Sequence, residues 1–439
     1  MIDSDKYALT CGQRFLATRI NSKSINARPL QRTYELCKDF DYTALCTAVQ
    51  RLVQRHPALH IKLVQDSEGW TQCFLNEQPA MTLEKVKGLF KLFRIVYAKL
   101  LIAEEPKRVL DLTNQSPVKI MVVKVNNEFI MSICLDHLAV DEISYDLVEK
   151  ELLELYCETC SKVVSHEHLA DNFLQYIGRE QAQRHCEREN SMYWYHQLRD
   201  APIGGPPPGK KKMSVGECLY YQLQQPTLDR LLSFCQAKKS SVSHLITAIQ
   251  LKLLAQAAKI DDVVIGIPIS NRIYKKDEHI IGDLVMPIFI RFQQFQHKSL
   301  AALIVQVRDI CMVSMAHRQY DYAAVMNTLS REHMQHKAHI CLNVSNNFII
   351  EHMPIVTPNR LFVRRLDNIP GRGHAVAIGS FNIDARQNSD TLSIDIKWDP
   401  SRWLISAVQV KAVIDELIKE VSVDDEPHHT DLLVQNLPL

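Results

Sequence analysis

The sequence predicts a mixed α/β protein built in two halves. At 439 residues the chain is long for a single hydrophobic core, so we expect two domains. The almost continuous apolar run 129–135 is typical of a buried strand, and an amphipathic helical pattern follows it directly. Residues 201–212 carry glycine and proline at a density that predicts no regular element, and they separate the halves.

These boundaries divide the chain into four expected parts. We predict an N-terminal lobe at 1–165, a crossover region at 166–215, a C-terminal lobe at 216–425 and a polar tail at 426–439.

The elements of the first half follow from apolar spacing. Apolar residues at helical spacing predict a helix at 42–55, and Pro57 ends it because proline disfavours helix at the preceding residue. A strand is expected after Pro57. The runs 118–125 and 128–134 predict a hairpin whose two intervening asparagines tolerate positive φ. The next helix keeps one apolar face as far as Tyr156 and should pack on the sheet.

The second half repeats the mixture of strands and helices. A strand is predicted at 218–223, with helices at 228–234 and 243–257. Ser241 suits the start of the second helix, since a serine oxygen accepts from free backbone amides. A last amphipathic helix is predicted at 401–420. Alternating apolar and polar residues predict two paired strands, at 381–384 and 392–398.

Composition excludes several classes of protein. The formal net charge of +1 provides no field to attract nucleic acid or an anionic membrane. No apolar run approaches ~20 residues, so no membrane span is expected. The N-terminus lacks a signal-peptide profile. The 12 cysteines are scattered, which predicts reduced thiols in a cytoplasmic protein.

A zinc site can be argued from Cys157 and Cys160, which are followed by His166 and His168. A second Cys-x-x-Cys pair is missing from the sequence, and the segment reads as a helix end entering a polar linker. We therefore predict that the protein binds no metal.

His137 and Asp141 are the leading candidates for a functional site. His137 follows the apolar strand, and Asp141 begins the next helix. A strand-to-helix turn holds a reactive side chain rigidly at the edge of a cleft. The alternative is a turn histidine beside a carboxylate that favours the positive end of a helix dipole.

His137-Leu-Ala-Val-Asp141 is similar to the HHxxxDG signature of the condensation-domain superfamily. That superfamily includes the amide-forming domains of nonribosomal peptide synthetases and chloramphenicol acetyltransferase. Further segments resemble its other motifs, in the family's order, between about residues 8 and 420. These are Gln13 within 8–16 ("LSxxQ"), His56 within 55–60 ("rHpxLR"), 262–272 ("ddvviGtPvaxR"), 281–291 ("vGxfvNxlplR") and 339–347 ("vSN").

The resemblance implies two lobes like chloramphenicol acetyltransferase, with a tunnel between them where an acyl thioester and a nucleophile meet at His137. An imidazole suits this place because its ordinary pKa lies near neutrality, so it can accept the nucleophile's proton or hold the nucleophile. It further implies that Asp141 pairs with Arg272 in a structural role. Ser345 and Asn346 are candidates to donate to the oxyanion; the alternative for both is a strand-end hydrogen bond.

Two residues depart from the signature. Asp136 replaces its first histidine, and single-histidine forms occur in plant and fungal relatives. Glu142 replaces its glycine, where it either narrows the tunnel or recognises a cationic group of a substrate. An acidic residue at that position also resembles the noncatalytic X-domain of glycopeptide assembly lines, which recruits a partner oxygenase.

The expected function is that of a stand-alone condensation-type acyltransferase. It would take an acyl group from the phosphopantetheine thioester of an acyl or peptidyl carrier protein and pass it to a small amine or alcohol. No permanently bound cofactor is expected, and a coenzyme A thioester is the variant donor. The alternative is a silent module that binds carrier proteins or tailoring enzymes. We expect a monomer, because two halves in one chain already build the site.

Overall fold

The computed structural model describes fifteen segments: residues 6–20, 29–67, 69–74, 79–86, 112–113, 115–125, 128–161, 173–202, 217–332, 344–350, 361–365, 381–399, 403, 405–421 and 435–436. Its helices are α1 (Cys11–Ile20), α2 (Tyr42–Arg55), α3 (Glu142–Ser161), α4 (Phe173–Ala182), α5 (Glu187–Leu198), α6 (Thr227–Ala237), α7 (Val242–Leu253), α8 (Leu300–Ala316), α9 (Tyr322–Glu332) and α10 (Ala407–Val421). Its strands are β1 (Tyr7–Ala8), β2 (Leu30–Leu36), β3 (Ile61–Asp66), β4 (Gly69–Phe74), β5 (Ala80–Val86), β6 (Val118–Val125), β7 (Glu128–Leu135), β8 (Glu217–Gln224), β9 (Asp262–Ser270), β10 (Val285–Gln293), β11 (Val344–Ile350), β12 (Phe362–Arg365), β13 (Phe381–Gln387), β14 (Thr391–Trp398) and β15 (Gln435–Asn436).

The chain divides into two compact units, each assembled from three stretches of sequence. The first unit is Met1–His185, Ser270–Met286 and Pro354–Arg372. The second unit is Cys186–Ile269, Pro287–Met353 and Gly373–Leu439. Two stretches from the later half of the chain thus belong to the first unit. The limits predicted for the lobes, crossover and tail stay a prediction.

The first unit contains two sheets. One sheet has the strand order β12-β2-β7-β6-β5. Strands β5 and β6 pair in parallel, and the other neighbouring strands of this sheet pair antiparallel. The smaller sheet has the order β1-β4-β3 and is antiparallel. The hairpin β6–β7 sets Val118 opposite Leu135, so the end of β7 lies beside the start of β6. The first unit thus combines strands with helices, as the sequence predicted.

The second unit is built on one sheet, with the order β10-β9-β11-β13-β14-β8-β15. Strand β11 is parallel to both β9 and β13, whereas β13, β14, β8 and β15 pair antiparallel. The mixed α/β class is therefore confirmed in both units.

Local sequence explains where the helices begin. The carboxylate of Asp41 accepts from the backbone amides of Thr43 (2.7 Å) and Ala44 (3.1 Å) and so caps α2. The Ser241 hydroxyl accepts from the amide of His244 (3.3 Å) at the start of α7, as the sequence predicted.

Two expectations about the His137 region need correction. Helix α3 runs to Ser161 instead of ending near Tyr156, because its buried face continues: Glu158 is buried and pairs with Arg51 at 2.7 Å. Strand β7 is buried on both faces only from Met131 onward, since its first three residues are partly or largely exposed.

None of the helices within the described ranges is long and apolar enough to cross a membrane.

Gly282 provides a test of packing in the first unit. A Cβ at this residue would lie 2.5 and 2.7 Å from two ring carbons of the fully buried Phe173. We expect Gly282→Ala to lower the free energy of unfolding by about 1–3 kcal/mol, because a buried ring has little room to move. Chemical denaturation measures the change.

Gly178 is the matched control, since it lies on α4 and a Cβ at this residue would meet nothing within 4 Å. Gly178→Ala should raise stability by about 0.5–1 kcal/mol, because alanine suits a helix better than glycine. Equal effects of the two substitutions would contradict the close contact between Gly282 and Phe173.

Candidate active site

His137 lies in the tight turn that joins β7 to α3. The carbonyl oxygen of Asp136 accepts from the backbone amides of Ala139 (3.0 Å) and Val140 (3.2 Å), which closes the turn. His137 is half-buried, whereas its neighbours Asp136 and Leu138 are buried. The imidazole is thus the side chain that this turn leaves partly open.

Among the residues that the structure describes, the Nδ1 atom of the His137 ring has no hydrogen-bond partner. This atom is buried. In Ser-His-Asp sites a carboxylate holds the histidine ring through this atom. The position of His137 is set by the turn, so the contacts that fix the turn matter.

Asp141, at the end of the turn, forms a buried two-pronged ion pair with Arg272. Its Oδ2 lies 2.7 Å from Nη1 of Arg272, and its Oδ1 lies 3.1 Å from Nη2. Their side chains are 1% and 5% exposed. The carboxylate also accepts from the backbone amides of Ser144 (2.7 Å) and Leu284 (3.0 Å), so it caps α3 as well.

Ser144 and Arg272 join the start of α3 to the stretch Ser270–Met286. Nη2 of Arg272 donates to the Ser144 hydroxyl (2.7 Å) and to the carbonyl of Ile280 (3.0 Å). The same hydroxyl accepts from the amide of Gly282 (2.9 Å) and donates to its carbonyl (2.7 Å). The arginine therefore fixes the turn through several bonds at once.

Asp136 stands where the signature has its first histidine. Its Oδ1 accepts from the backbone amide of Leu138 at 2.9 Å, and its own amide donates to the carbonyl of Pro117 at 2.9 Å. Burial raises the pKa of the Asp136 carboxyl to about 6, and the hydrogen bond from Leu138 offsets only part of that rise. A carboxyl that titrates near neutrality therefore adjoins His137 in the chain.

Asp283 is a further acidic residue near this ion pair that the sequence analysis missed. It is fully buried, and the hydroxyl of Thr10 donates to its carbonyl at 2.8 Å. Burial raises the pKa of its carboxyl well above the ordinary value, and the negative charge of Asp141 raises it further, against the lowering effect of Arg272. Its position inside the otherwise apolar run 280–286 is the sequence feature that could have pointed to a buried aspartate.

Glu142 is held by Arg32 of strand β2. Nη2 of Arg32 lies 3.0 Å from the Glu142 carboxylate, and Nη1 lies 2.5 Å from Asp146 and 2.8 Å from Glu149. The guanidinium also lies 4.2 Å from the centre of the Tyr145 ring. The carboxylate that replaces the signature glycine is thus accommodated by a cation of the same unit, and its role toward a substrate stays a prediction.

Ser345 and Asn346 belong to β11 in the second unit. The Ser345 hydroxyl donates to Oδ1 of Asn382 at 2.8 Å. The amide nitrogen of Asn346 donates to Thr247 (2.9 Å) and to Gln250 (3.1 Å), which engages both of its hydrogens. This geometry favours hydrogen bonding within the unit, and oxyanion binding by either residue stays a prediction.

Two other motif residues are buried in the first unit. Nε2 of His56 lies 2.7 Å from the carboxylate of Glu151, which makes it a structural contact between α2 and α3. The Gln13 amide donates to the carbonyl of Leu138 (2.9 Å) and to Gln72 (3.0 Å), so it touches the His137 turn.

The cysteine pair considered for zinc lies in the last turns of α3. His166 and His168 fall outside the described residues. In the described part of the chain, no group of three or more His, Cys, Asp or Glu side chains is arranged to hold a metal ion.

Comparison with known sequences gives a family match along most of the chain. The model of the family "Condensation domain" matches residues 3–420. Among curated proteins, surfactin synthase subunit 1 of Bacillus subtilis (strain 168) is 22% identical over 303 residues, or 66% of this chain and 8% of that protein. Enniatin synthase of Fusarium equiseti is 23% identical over 311 residues, or 67% and 10%. The chain spans about a tenth or less of these relatives.

Solved structures share the fold. The X-domain in complex with OxyB from teicoplanin biosynthesis has a TM-score of 0.74 at 17% identity, covering 96% of this chain and 94% of that one. The first condensation domain of the calcium-dependent antibiotic synthetase gives 0.71 at 14%, covering 99% and 100%. A variant of the starter condensation domain of rhizomide synthetase, in complex with C8-CoA and Leu-SNAC, gives 0.71 at 15%, covering 98% and 97%.

Removing one partner of the buried ion pair should destabilise the protein. We expect Asp141→Ala to lower the free energy of unfolding by ~3–5 kcal/mol, because it leaves the Arg272 charge buried without its carboxylate. Soluble yield should fall with it. Denaturant titration measures the loss.

The control for Asp141→Ala is Asp200→Ala, whose partner Arg199 lies at 3.2 Å in an exposed pair (side chains 72% and 51% exposed). Its effect should stay within about 0.5 kcal/mol. Normal thermal stability of the Asp141 variant would rule out a structural role for this pair.

Asp136 predicts a pH dependence of stability. Burial in the folded protein raises the pKa of Asp136 from 3.8 to about 6, because it disfavours the ionised carboxylate. The contribution of this carboxyl to stability is therefore fully present below pH 3.8 and is lost as the pH rises through 6. Asp136→Asn keeps an acceptor for the Leu138 amide without the charge. The free energy of unfolding of Asp136→Asn, minus that of the native protein, should be larger at pH 8 than at pH 4. The increase should be up to about 3 kcal/mol, since each pKa unit corresponds to about 1.4 kcal/mol.

Unfolding free energies at the two pH values test this, with the exposed Asp200→Asn as control. A difference between Asp136→Asn and the native protein that does not change with pH would contradict the buried, raised carboxyl.

Proposed function

This chain belongs to the condensation-domain family, and from that premise we propose that it is an acyltransferase of carrier-bound thioesters. In this proposal, the acyl group leaves the phosphopantetheine of a carrier protein for a free amine or alcohol. The single observation that carries the proposal is the partly open His137 on a turn whose flanking residues are all buried and hydrogen-bonded.

The reaction requires little from the protein beyond placement and one proton acceptor. The nitrogen or oxygen of the acceptor attacks the thioester carbon, and a C–N or C–O bond forms as the C–S bond breaks. The thiolate of the pantetheine arm leaves and takes up a proton. His137 is suited to take the acceptor's proton or to hold the acceptor by a hydrogen bond until its proton departs.

The donor follows from the chemistry of the thioester. Carrier proteins and coenzyme A present the same pantetheine arm, so the same reaction serves either donor. The starter condensation domain of rhizomide synthetase, which shares the fold, has a structure in complex with C8-CoA. We propose the carrier protein as donor, because condensation domains work with carrier-bound substrates.

The second candidate function is recruitment without catalysis. Glu142 supports it, because an acidic residue there resembles the X-domain, and the teicoplanin X-domain in complex with OxyB shares the fold. The Arg32 contact weakens this argument, since Glu142 already has a structural partner. Acyl transfer remains the better supported proposal, because a recruiting module has no use for His137.

Intact-protein mass spectrometry of acyl-loaded carrier proteins tests acyl transfer. The full chain is incubated with acyl-phosphopantetheinyl carriers and a panel of small amines and alcohols. We expect loss of the acyl mass from the carrier and gain of an amide or ester product. His137→Ala should reduce the rate about 10²–10⁴-fold with unchanged thermal stability, which is the usual contribution of a general base.

The control is His196→Ala, at an exposed histidine of α5, which should turn over normally. If the native chain binds carriers but transfers nothing, and His137→Ala binds equally well, the protein is a recruiting module and the proposal fails.

A further inference from the structure

Two buried glutamines meet behind the His137 turn. Gln13 lies on α1 and Gln72 on β4, and both are 0% exposed. Their amides exchange two hydrogen bonds: Nε2 of Gln13 donates to Oε1 of Gln72 at 3.0 Å, and Nε2 of Gln72 donates to Oε1 of Gln13 at 2.9 Å. Such a pair is costly to bury unless every polar atom is used.

The remaining atoms of both amides contact backbone groups only. Oε1 of Gln13 accepts from the amide of Thr10 (2.9 Å), and Nε2 of Gln72 donates to the carbonyl of Ala8 (2.9 Å). The other hydrogen on Nε2 of Gln13 goes to the carbonyl of Leu138 (2.9 Å). A backbone amide can only donate and a carbonyl can only accept, so the Gln13 side chain has one orientation that satisfies both ends.

Leu138 directly follows His137 and is held at both of its backbone polar groups. Its amide donates to Asp136 (2.9 Å), within the turn, while its carbonyl accepts from Gln13, which comes from outside the turn. The two bonds hold two successive peptide units, His137–Leu138 and Leu138–Ala139, so rotation of either unit would break one of them. Because Nδ1 of His137 has no hydrogen-bond partner among the described residues, we expect these two peptide units to influence the direction of the ring.

We infer that Gln13 is a positioning residue that sets the orientation of the His137 ring. This inference rests on the proposed function for its catalytic meaning, although its physical content concerns only the turn. A misplacement of about 1 Å in a reacting group costs up to about 10²-fold in rate, which is why such a contact matters.

The test compares two substitutions of equal chemistry. Gln13→Met removes the bond to Leu138 together with the glutamine pair, whereas Gln72→Met removes the pair and leaves Gln13 able to reach Leu138. Both variants lose buried hydrogen bonds and should fall in stability by similar amounts. Gln13→Asn, too short to span the gap, replaces Gln13→Met if that variant does not fold.

The readout is the NMR signal of the His137 ring in protein labelled with ¹³C-histidine, assigned by its absence from His137→Gln. We expect Gln13→Met to shift this signal, and Gln72→Met to leave it close to that of the native protein. Overlapping His137 signals in all three folded proteins, or equal shifts in the two variants, would overturn the inference.

Kinetics separate this inference from the proposed function. With any acyl carrier that the native chain turns over, Gln13→Met should lower kcat about 10- to 100-fold and leave the KM values within about twofold, as expected for loss of orientation. The NMR experiment needs no substrate. If the native chain transfers no acyl group, the proposed function fails. A shift of the His137 signal in Gln13→Met would still support the positioning role.

Discussion

The buried ion pair between Asp141 and Arg272 is the contact on which the rest of the site depends. Two charges with almost no solvent exposure are stable only when geometry and hydrogen bonding replace the lost water. The pair meets that condition with two prongs, a helix cap and a serine hydroxyl shared with Gly282. Since Arg272 lies in Ser270–Met286, the pair also fastens a late stretch of the chain to the early turn that carries His137.

Within the motif, His137 and Asp141 therefore have different environments. The histidine is partly open, and its Nδ1 has no hydrogen-bond partner in the described part of the chain, while the aspartate four residues later is fully engaged. Burial raises the pKa of the neighbouring Asp136 carboxyl to about 6.

The sequence predicted the parts of the fold that depend on local pattern. The apolar run before His137, the helix at 42–55 and the serine at the start of α7 all specify their own structure through spacing and capping. The end of α3 was placed too early, because Glu158 is buried through an ion pair with Arg51, and such a partner is invisible in a linear pattern.

The partners of Asp141, Glu142 and Leu138 lie 131, 110 and 125 residues away in the chain, so periodicity does not reveal them. Only resemblance to a family pointed to Arg272. Arg32 and Gln72 carried no signal of their own. The pKa of Asp136 depends on burial in three dimensions and likewise could not be read from the residue type.

A double-mutant cycle between Asp141 and Arg272, read by the free energy of unfolding, tests most directly whether this pair holds the turn. We expect the two alanine substitutions together to cost less than the sum of the single losses, with a coupling on the order of 2–3 kcal/mol, because either change alone strands a buried charge. Strictly additive losses would show that the two side chains act independently, and would contradict the claim that their ion pair fixes the His137 turn.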